Sequence, residues 1–414
     1  MTSTDRSVPE VAQAQLAQAR VVRARTAVAW VFAVNGAGIA TWLSRLPEIR
    51  DSLGLSPSRL GLVLISGAAG AVLTLPASGF VVHRLRPPGT VRLGALLCLF
   101  GVALVGLAGS GRFGGVPLMV TGLFCFGVGN SVWDVAMNVE GAAVEHRLQR
   151  PLMPRFHAGF SLGTVAGALV GATAAARALP MQTQLILTAI AGSIAISATV
   201  RLFLAAPPPT GLPRAAPKAR AAWRERRTLL IGIMVLAFAF TEGTANDWLT
   251  LALVDGHDAS SAVGAVGFAV FVTGMTVARL TGGTALDRWG RVPVLRAAAA
   301  LACTGVVLVV LGPSLLVAGI GALFWGIGVA LGFPVGVSAA ADDPSHAAVR
   351  ISVVTSIGYT AFLAGPPLIG FIAAEVGVLH ALVVVLGALT AAVLTAEASR
   401  APVCPRGEAT AGEP

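Results

Sequence analysis

The chain has 414 residues, of which 55% are hydrophobic and only 12% charged, with a formal net charge of +10 and a mean hydropathy of +0.81. Soluble domains carry about 25% charged residues, so the composition excludes an ordinary water-soluble globule. The positive charge is spread over short loops and not gathered on one domain face, which excludes a nucleic-acid binder.

Residues 1–25 are polar, with Arg6, Arg20, Arg23 and Arg25 ahead of the first apolar run. That stretch is long for a signal peptide and no small-residue cleavage site follows, so it reads as a retained cytoplasmic segment. Apolar runs then recur at 26–44, 58–82, 93–111, 114–140, 156–176, 182–201, 228–250, 262–285, 295–312, 315–340, 351–374 and 379–397. A helix needs about 20 such residues to cross the hydrocarbon core. The charge-free run Ala297–Ala341 is too long for one span, and Gly312-Pro313 divides it. The pattern predicts an all-α membrane protein of twelve transmembrane helices. With the N-terminus inside, 23 basic residues fall on inner segments and 5 on outer ones, which predicts both termini cytoplasmic. The loop 205–227 opens with Pro207-Pro208-Pro209 and ends with Trp223-Arg224-Glu225-Arg226-Arg227. It is predicted to link an N-terminal six-helix bundle, 26–204, to a C-terminal one, 228–397, followed by a tail, 398–414.

The two predicted halves echo each other. Gly79-Phe-Val-Val-His83-Arg84 ends span 2, and Gly283-Thr-Ala-Leu-Asp287-Arg288-Trp289-Gly290-Arg291 ends span 8. Trp42-Leu43 answers Trp248-Leu249, Gly127-Val-Gly129 answers Gly326-Ile-Gly328, and Ser161-Leu-Gly163 answers Ser356-Ile-Gly358. The shared order, at offsets near 200 residues, indicates a repeat. Such repeats place a substrate site between the halves near the bilayer midplane.

Ionisable groups inside a bilayer are costly and mark a functional path by default. Span 4 carries Asn130, Asp134 and Asn138 at i, i+4 and i+8, on one helical face. Asp134 is the leading protonation site, and the two Asn are candidate substrate ligands. Glu140, nearer the inner end, suits a gate or interface. Span 7 carries Glu242 and Asn246 one turn apart, a candidate proton-coupling acid and a candidate substrate ligand, with Asp247 and Trp248 following. Trp248 fits either an interfacial anchor or a stacking platform for a sugar ring. Asn35, the strongly polar residue of span 1, offers hydrogen bonds either to substrate hydroxyls or to a neighbouring helix. Arg45 at the outer end of span 1 suits a gate.

His157 opens span 5 and can relay protons or bind loop carbonyls. Tyr359, the one tyrosine of the chain, follows Ser352, Thr355 and Ser356 on a polar stripe of span 11. It would face the cavity or pack with its hydroxyl satisfied. Arg279 lies eight residues before Asp287 on nearly the same face of span 8. The two are read as a pair that, with Arg288, belongs to an inner gate. Gly163-x3-Gly167-x3-Gly171 and Gly365-Pro366-Pro367-x2-Gly370 permit close helix packing and bending. Cys98, Cys125, Cys303 and Cys404 are scattered singly and suggest no disulfide or zinc framework. Phosphate loops, metal-ligand clusters and nucleophile elbows are absent from the sequence. No cofactor is therefore expected, and an ion gradient, with protons favoured by the buried acids, is the expected energy source.

The segment Gly283–Arg291 resembles the G-x-x-x-D-R-x-G-R signature of the major facilitator superfamily. The resemblance implies a rocker-switch transporter of two six-helix bundles. The N-terminal copy departs from it: His83 stands where the family has Asp, and Arg86-Pro87-Pro88 replaces the Gly-Arg ending. In the family that Asp helps lock one conformation, a role that the resemblance leaves to Asp287. Asp134-Val-Ala-Met-Asn138 and Arg155-Phe-His157-Ala-Gly-Phe-Ser161-Leu-Gly163 are similar to the fucose-permease-like branch, which contains proton-coupled sugar symporters. The Pro that often follows the Asn in that branch is Val139 here. The expectation is a monomeric secondary transporter in the cell membrane that moves a small polar organic solute, with sugars among the candidates, together with protons. A drug/proton efflux antiporter and a membrane sensor without turnover are the alternatives. An integral membrane enzyme fits least, because the sequence shows no catalytic constellation.

Overall fold

Long charge-free runs become helices because in hydrocarbon every backbone N–H and C=O must be paired within its own segment. The computed structural model describes residues 7–111, 113–148, 152–204, 222–343 and 346–401. Residues 205–221 of the expected linker and 402–414 of the expected tail, Cys404 included, lie outside them. Among the described residues all regular structure is helical.

The helices are α1 (Ser7–Leu43), α2 (Leu46–Ser52), α3 (Pro57–Ala108), α4 (Gly115–Leu148), α5 (Met153–Ala176), α6 (Met181–Thr199), α7 (Arg226–Gly256), α8 (Ser261–Trp289), α9 (Arg291–Leu311), α10 (Leu315–Val329), α11 (Gly332–Ala340), α12 (Ala347–Val376), α13 (Val378–Ala381) and α14 (Val384–Thr395). Eleven stretches of the described residues are long and apolar enough to cross a membrane. One of them, α3, runs for 52 residues and is two helices merged across a kink at Arg86, with φ 59° and ψ 164°. Pro87 and Pro88 follow and cannot donate to the preceding turn. Thr90 Oγ1 donates instead to the Arg86 carbonyl at 2.8 Å. Proline also explains the division between α10 and α11. Pro334 lacks the N–H that the Ala330 carbonyl would accept, so the helix breaks at Ala330-Leu331.

Successive long helices run between two ends of the molecule. One end gathers the arginine-rich loops and is called the basic face here; the other is the opposite face. Glycines let the helices touch backbone to backbone. A Cβ on Gly163 would lie 1.9 Å from the Ala33 carbonyl oxygen, and one on Gly167 2.5 Å from that of Ala37. The Gly163-x3-Gly167 stripe of α5 is therefore the seam against α1, as the spacing predicted. The repeat has a structural counterpart. A Cβ on Gly127 would meet the Gly67 carbonyl oxygen at 1.9 Å, and one on Gly326 would meet that of Phe271 at 2.0 Å.

The apolar core is divided unequally. One cluster joins Leu46, Ile49, Leu60 and Leu64 to Trp248, Leu249 and Phe268, and so unites early and late parts of the chain at the opposite face. A second cluster, with Val28, Phe32, Trp133, Met137 and Phe156, belongs to the early part alone and lies toward the basic face. The two parts thus share a core at one end only.

Candidate transport pathway

The period of the α-helix puts Asn130, Asp134 and Asn138 on one side of α4. Asn35 of α1 donates through Nδ2 to Asn130 Oδ1 at 2.9 Å. Asn138 Nδ2 donates to the Asp134 carbonyl at 2.8 Å and to its carboxylate Oδ1 at 3.3 Å. The Asp134 side chain is accessible, and it lies within electrostatic reach of Tyr359 on α12. The Tyr359 ring sits between Phe333 and Phe362, with centroids at 6.2 and 6.3 Å. Ser352 and Ser356 continue the same accessible stripe of α12. Asp134 on an early helix and Tyr359 on a late one are therefore both accessible and within electrostatic reach of each other.

A second polar centre lies where α5, α7, α8 and α10 meet. Arg279 Nη2 faces Glu242 Oε1 at 3.2 Å and Oε2 at 3.4 Å. Its Nε points to the Ala330 carbonyl at 3.4 Å, the group freed by Pro334. His157 of α5 is near enough for its charge to interact with that of Arg279, and its ring stands edge-on to Phe32 at 5.2 Å. Gly283, one turn from Arg279 toward the basic face, has nothing within 4 Å of where a Cβ would be.

Comparison with known proteins identifies the scaffold. The profile of the Major Facilitator Superfamily matches residues 28–335. An "uncharacterized transporter" of Sinorhizobium fredii is 30% identical over 355 residues, 84% of this chain and 90% of that protein. An "uncharacterized MFS-type transporter" of Yersinia pestis is 30% identical over 374 residues, 89% of this chain and 92% of that protein. The chain belongs to the major facilitator superfamily. Solved structures agree on the fold. A point mutant of the nucleoside transporter NupG superposes with a TM-score of 0.71 at 13% identity, over 92% of this chain and 98% of that one. A bacterial homologue of the human lysosomal transporter Spinster, in an inward-facing and unoccupied conformation, gives 0.71 at 15% identity, over 92% and 97%. A point mutant of the Escherichia coli fucose:proton symporter FucP gives 0.60 at 14% identity, over 90% and 97%. The chain is thus a membrane transporter of this superfamily, not an enzyme.

Within the transporter, several residues singled out from the sequence stand apart from the two polar centres. Arg279 and Asp287 are not a pair. Eight residues of helix are about 12 Å, beyond contact for side chains that have nearer neighbours. Arg279 turns to Glu242 on α7, while Asp287 is exposed and has no ion-pair partner among the described residues. Arg288 lies over the Trp289 ring at 5.4 Å. Trp248 is wholly buried in the core, so in this conformation its ring serves neither as interfacial anchor nor as stacking platform. Asn35 is 2% exposed and spends its amide on Asn130, which is the helix–helix alternative. Arg45 bonds Glu48 at 2.5 Å and the Leu179 carbonyl at 2.9 Å, both in the early part of the chain. Glu140 is buried and accepts from the Leu204 amide. Asn246 is half-buried on α7, one turn from Glu242.

Two ionic features of the transporter carried no usable signal in the sequence. At the opposite face, Arg50 of α2 grips both oxygens of Asp255 at the end of α7, one of them at 2.8 Å. Beside it, a Cβ on Gly61 would lie 2.4 Å from the Pro366 carbonyl oxygen, and one on Gly370 2.6 Å from that of Pro57. These contacts join α2 and α3 to α7 and α12 at that face. At the basic face, Asp342 accepts from Arg291 at 2.8 Å and from Arg227 at 2.7 Å. Arg350 holds Glu225 through two bonds of 2.8 Å and reaches Asp343 at 3.2 Å. Partners 205 or 115 residues apart cannot be paired by spacing. A separate cavity of about 640 Å³ opens between α8, α9 and α10, lined by Val277, Trp289, Pro293, Leu301 and other largely apolar residues. It contains none of the polar groups above and does not suit a polar solute.

Proposed function

We propose that this transporter is a proton-coupled carrier of a small polar organic solute, built as twelve spans in two six-helix bundles, 26–204 and 228–397, and working by alternating access. On this reading the kink at Arg86 separates spans 2 and 3, the basic face is cytoplasmic by the excess of arginine there, and both termini lie inside. The close contacts at the opposite face and the separate N-terminal core toward the basic face support the reading of a state open to the cytoplasm. Asp134 takes the coupling proton; Asn130, Asn138 and Tyr359 contact the solute; Asp287 and Arg288 act at the inner gate.

The observation that carries the proposal is the position of Asp134. It is an ionisable group on a long apolar helix, accessible, hydrogen-bonded by its own helix, and within electrostatic reach of Tyr359 in the late part of the chain. Intramembrane acids so placed mark proton paths. The fold neighbours include a nucleoside transporter and a fucose:proton symporter, and the span 4 and 5 motifs resemble the fucose-permease-like branch.

The test is proton movement in proteoliposomes loaded with a pH dye, under an imposed gradient of sugars and then of lipophilic drugs. Protons moving with an added sugar establish symport. Protons moving against a drug make the protein an efflux antiporter. For Asp134→Asn we expect gradient-driven accumulation to disappear while solute exchange persists; unchanged driven uptake refutes the role of Asp134.

A further inference from the structure

We infer that Arg279 is an anion-recognition group and that the solute carries an oxyanion, a carboxylate or a phosphate, which Arg279 binds in exchange for Glu242. The inference rests on the transport reading above and narrows its substrate class.

Four observations carry it. First, the Arg279–Glu242 pair is loose. A single guanidinium nitrogen faces both carboxylate oxygens, at 3.2 and 3.4 Å, whereas charge-assisted bonds close to about 2.7–2.9 Å and the Arg350–Glu225 and Arg291–Asp342 contacts of the same half do so at 2.8 Å. Secondly, the guanidinium is not used up. Nη1 has no partner among the described residues, and the side chains of Arg279 and Glu242 keep 29% and 19% of their accessibility. An arginine fork with free donors is preorganised for carboxylate or phosphate. Thirdly, the helix that carries Arg279 packs against α5 of the early part of the chain, and His157 of α5 is near enough for its charge to interact with that of Arg279. Gly283, one turn further along the same helix, has nothing within 4 Å of where a Cβ would be. Fourthly, the span next to Arg279 is broken. Pro334 frees the Ala330 carbonyl, and Arg279 Nε reaches toward it. The freed carbonyl and Glu242 thus engage two of the three guanidinium nitrogens and leave Nη1 for a ligand.

The exchange has a consequence for coupling. An anion that takes over Arg279 leaves the Glu242 carboxylate unpaired inside the membrane, which is costly. Glu242 therefore takes a proton from water onto a carboxylate oxygen, and the solute anion and the proton cross together. Glu242 then serves beside Asp134, and the solute's charge is balanced by the proton it brings.

The experiment reads anion binding to the purified full chain in detergent. Thermal stabilisation is titrated with acetate and, separately, inorganic phosphate, at constant ionic strength. Glu242→Gln removes the internal competitor, so its midpoint concentration for at least one anion should fall by about tenfold or more relative to the wild type. Arg279→Gln and the double variant Glu242→Gln/Arg279→Gln should lose the response. The double variant also removes both charges together, and so provides a folded reference if an unpaired Arg279 impairs Glu242→Gln on its own. Acetate alone acting identifies a carboxylate site, and phosphate alone a phosphate site. Equal responses in the wild type, Glu242→Gln and Arg279→Gln overturn the inference, as does no response in any. An anion response at Arg279 in a protein that moves no solute in the proteoliposome assay, once sugar acids and sugar phosphates are added to its panel, would instead count against the transport reading.

Discussion

At the scale of single residues, the molecule depends on positions where any side chain is too large. A Cβ on Gly163 would fall 1.9 Å from a backbone oxygen of α1, and no rotamer relieves a clash with backbone. Gly163→Ala should therefore lower stability by about 1–3 kcal/mol, seen as a lower melting temperature in detergent. Gly319→Ala is the matched control. Nothing lies within 4 Å of its Cβ, and alanine is a better helix former by about 1 kcal/mol, so its melting temperature should hold or rise. The α5 glycine stripe was legible in the sequence because its spacing of four is a helix property. The partners of the polar residues were not. Spacing relates Arg279 only to residues on its own helix, and so proposed Asp287. The true partner, Glu242, lies on α7, and only tertiary packing brings it close. Asn130, Asp134 and Asn138 were read correctly as one face, but the bond from Asn35 crosses between helices 95 residues apart.

At the scale of elements, hydropathy pointed to long apolar helices, eleven stretches of which are long enough to cross a membrane among the described residues, because burial in lipid imposes composition on every residue of a span. It located ends less well. The start of α1 at Ser7 lies far ahead of the apolar run, since residues 7–25 form helix from good helix formers and give no hydropathy signal. The break at Ala330-Leu331 was written in Pro334, inside a run long enough to hide it. Loop ion pairs were invisible, and one of them sets a pH dependence. Burial pushes the Glu225 carboxyl up, but hydrogen bonds from Arg350 and Thr228 and the charges of Arg350 and Arg227 outweigh it and hold the group below the usual range. A carboxylate so lowered adds stability above its ordinary pKa, and that stability is lost as pH falls through the lowered value. Glu225→Gln should therefore be less stable than the wild type at neutral pH, and the two melting curves should converge below about pH 4.

At the scale of the whole molecule, the half-chain repeat in the sequence has a counterpart in the equivalent packing at Gly127 and Gly326. The ionic contact between the early and late parts was not legible, because it joins Arg50 to Asp255 across 205 residues. If that latch helps close the opposite face, Asp255→Arg should open it by placing like charges together. Spin labels at Ser52 and Asp258, both exposed on that face, should then report a longer distance population. The swap Arg50→Asp/Asp255→Arg should restore the short one; a distance distribution unchanged in Asp255→Arg would assign closure to the glycine contacts of α3 and α12 alone. The length of α1 bears on how such motion is seen. Residues 7–25 extend the helix by about 28 Å beyond its apolar run, and Leu16, Gln18, Ala19 and Arg20 along it are exposed. The first helix is therefore a boom fixed at one end in the N-terminal half. A rotation of a few degrees, hard to resolve inside the bilayer, becomes a swing of the tip, and a fluorophore carried near Ser7 would act as the needle of a built-in gauge.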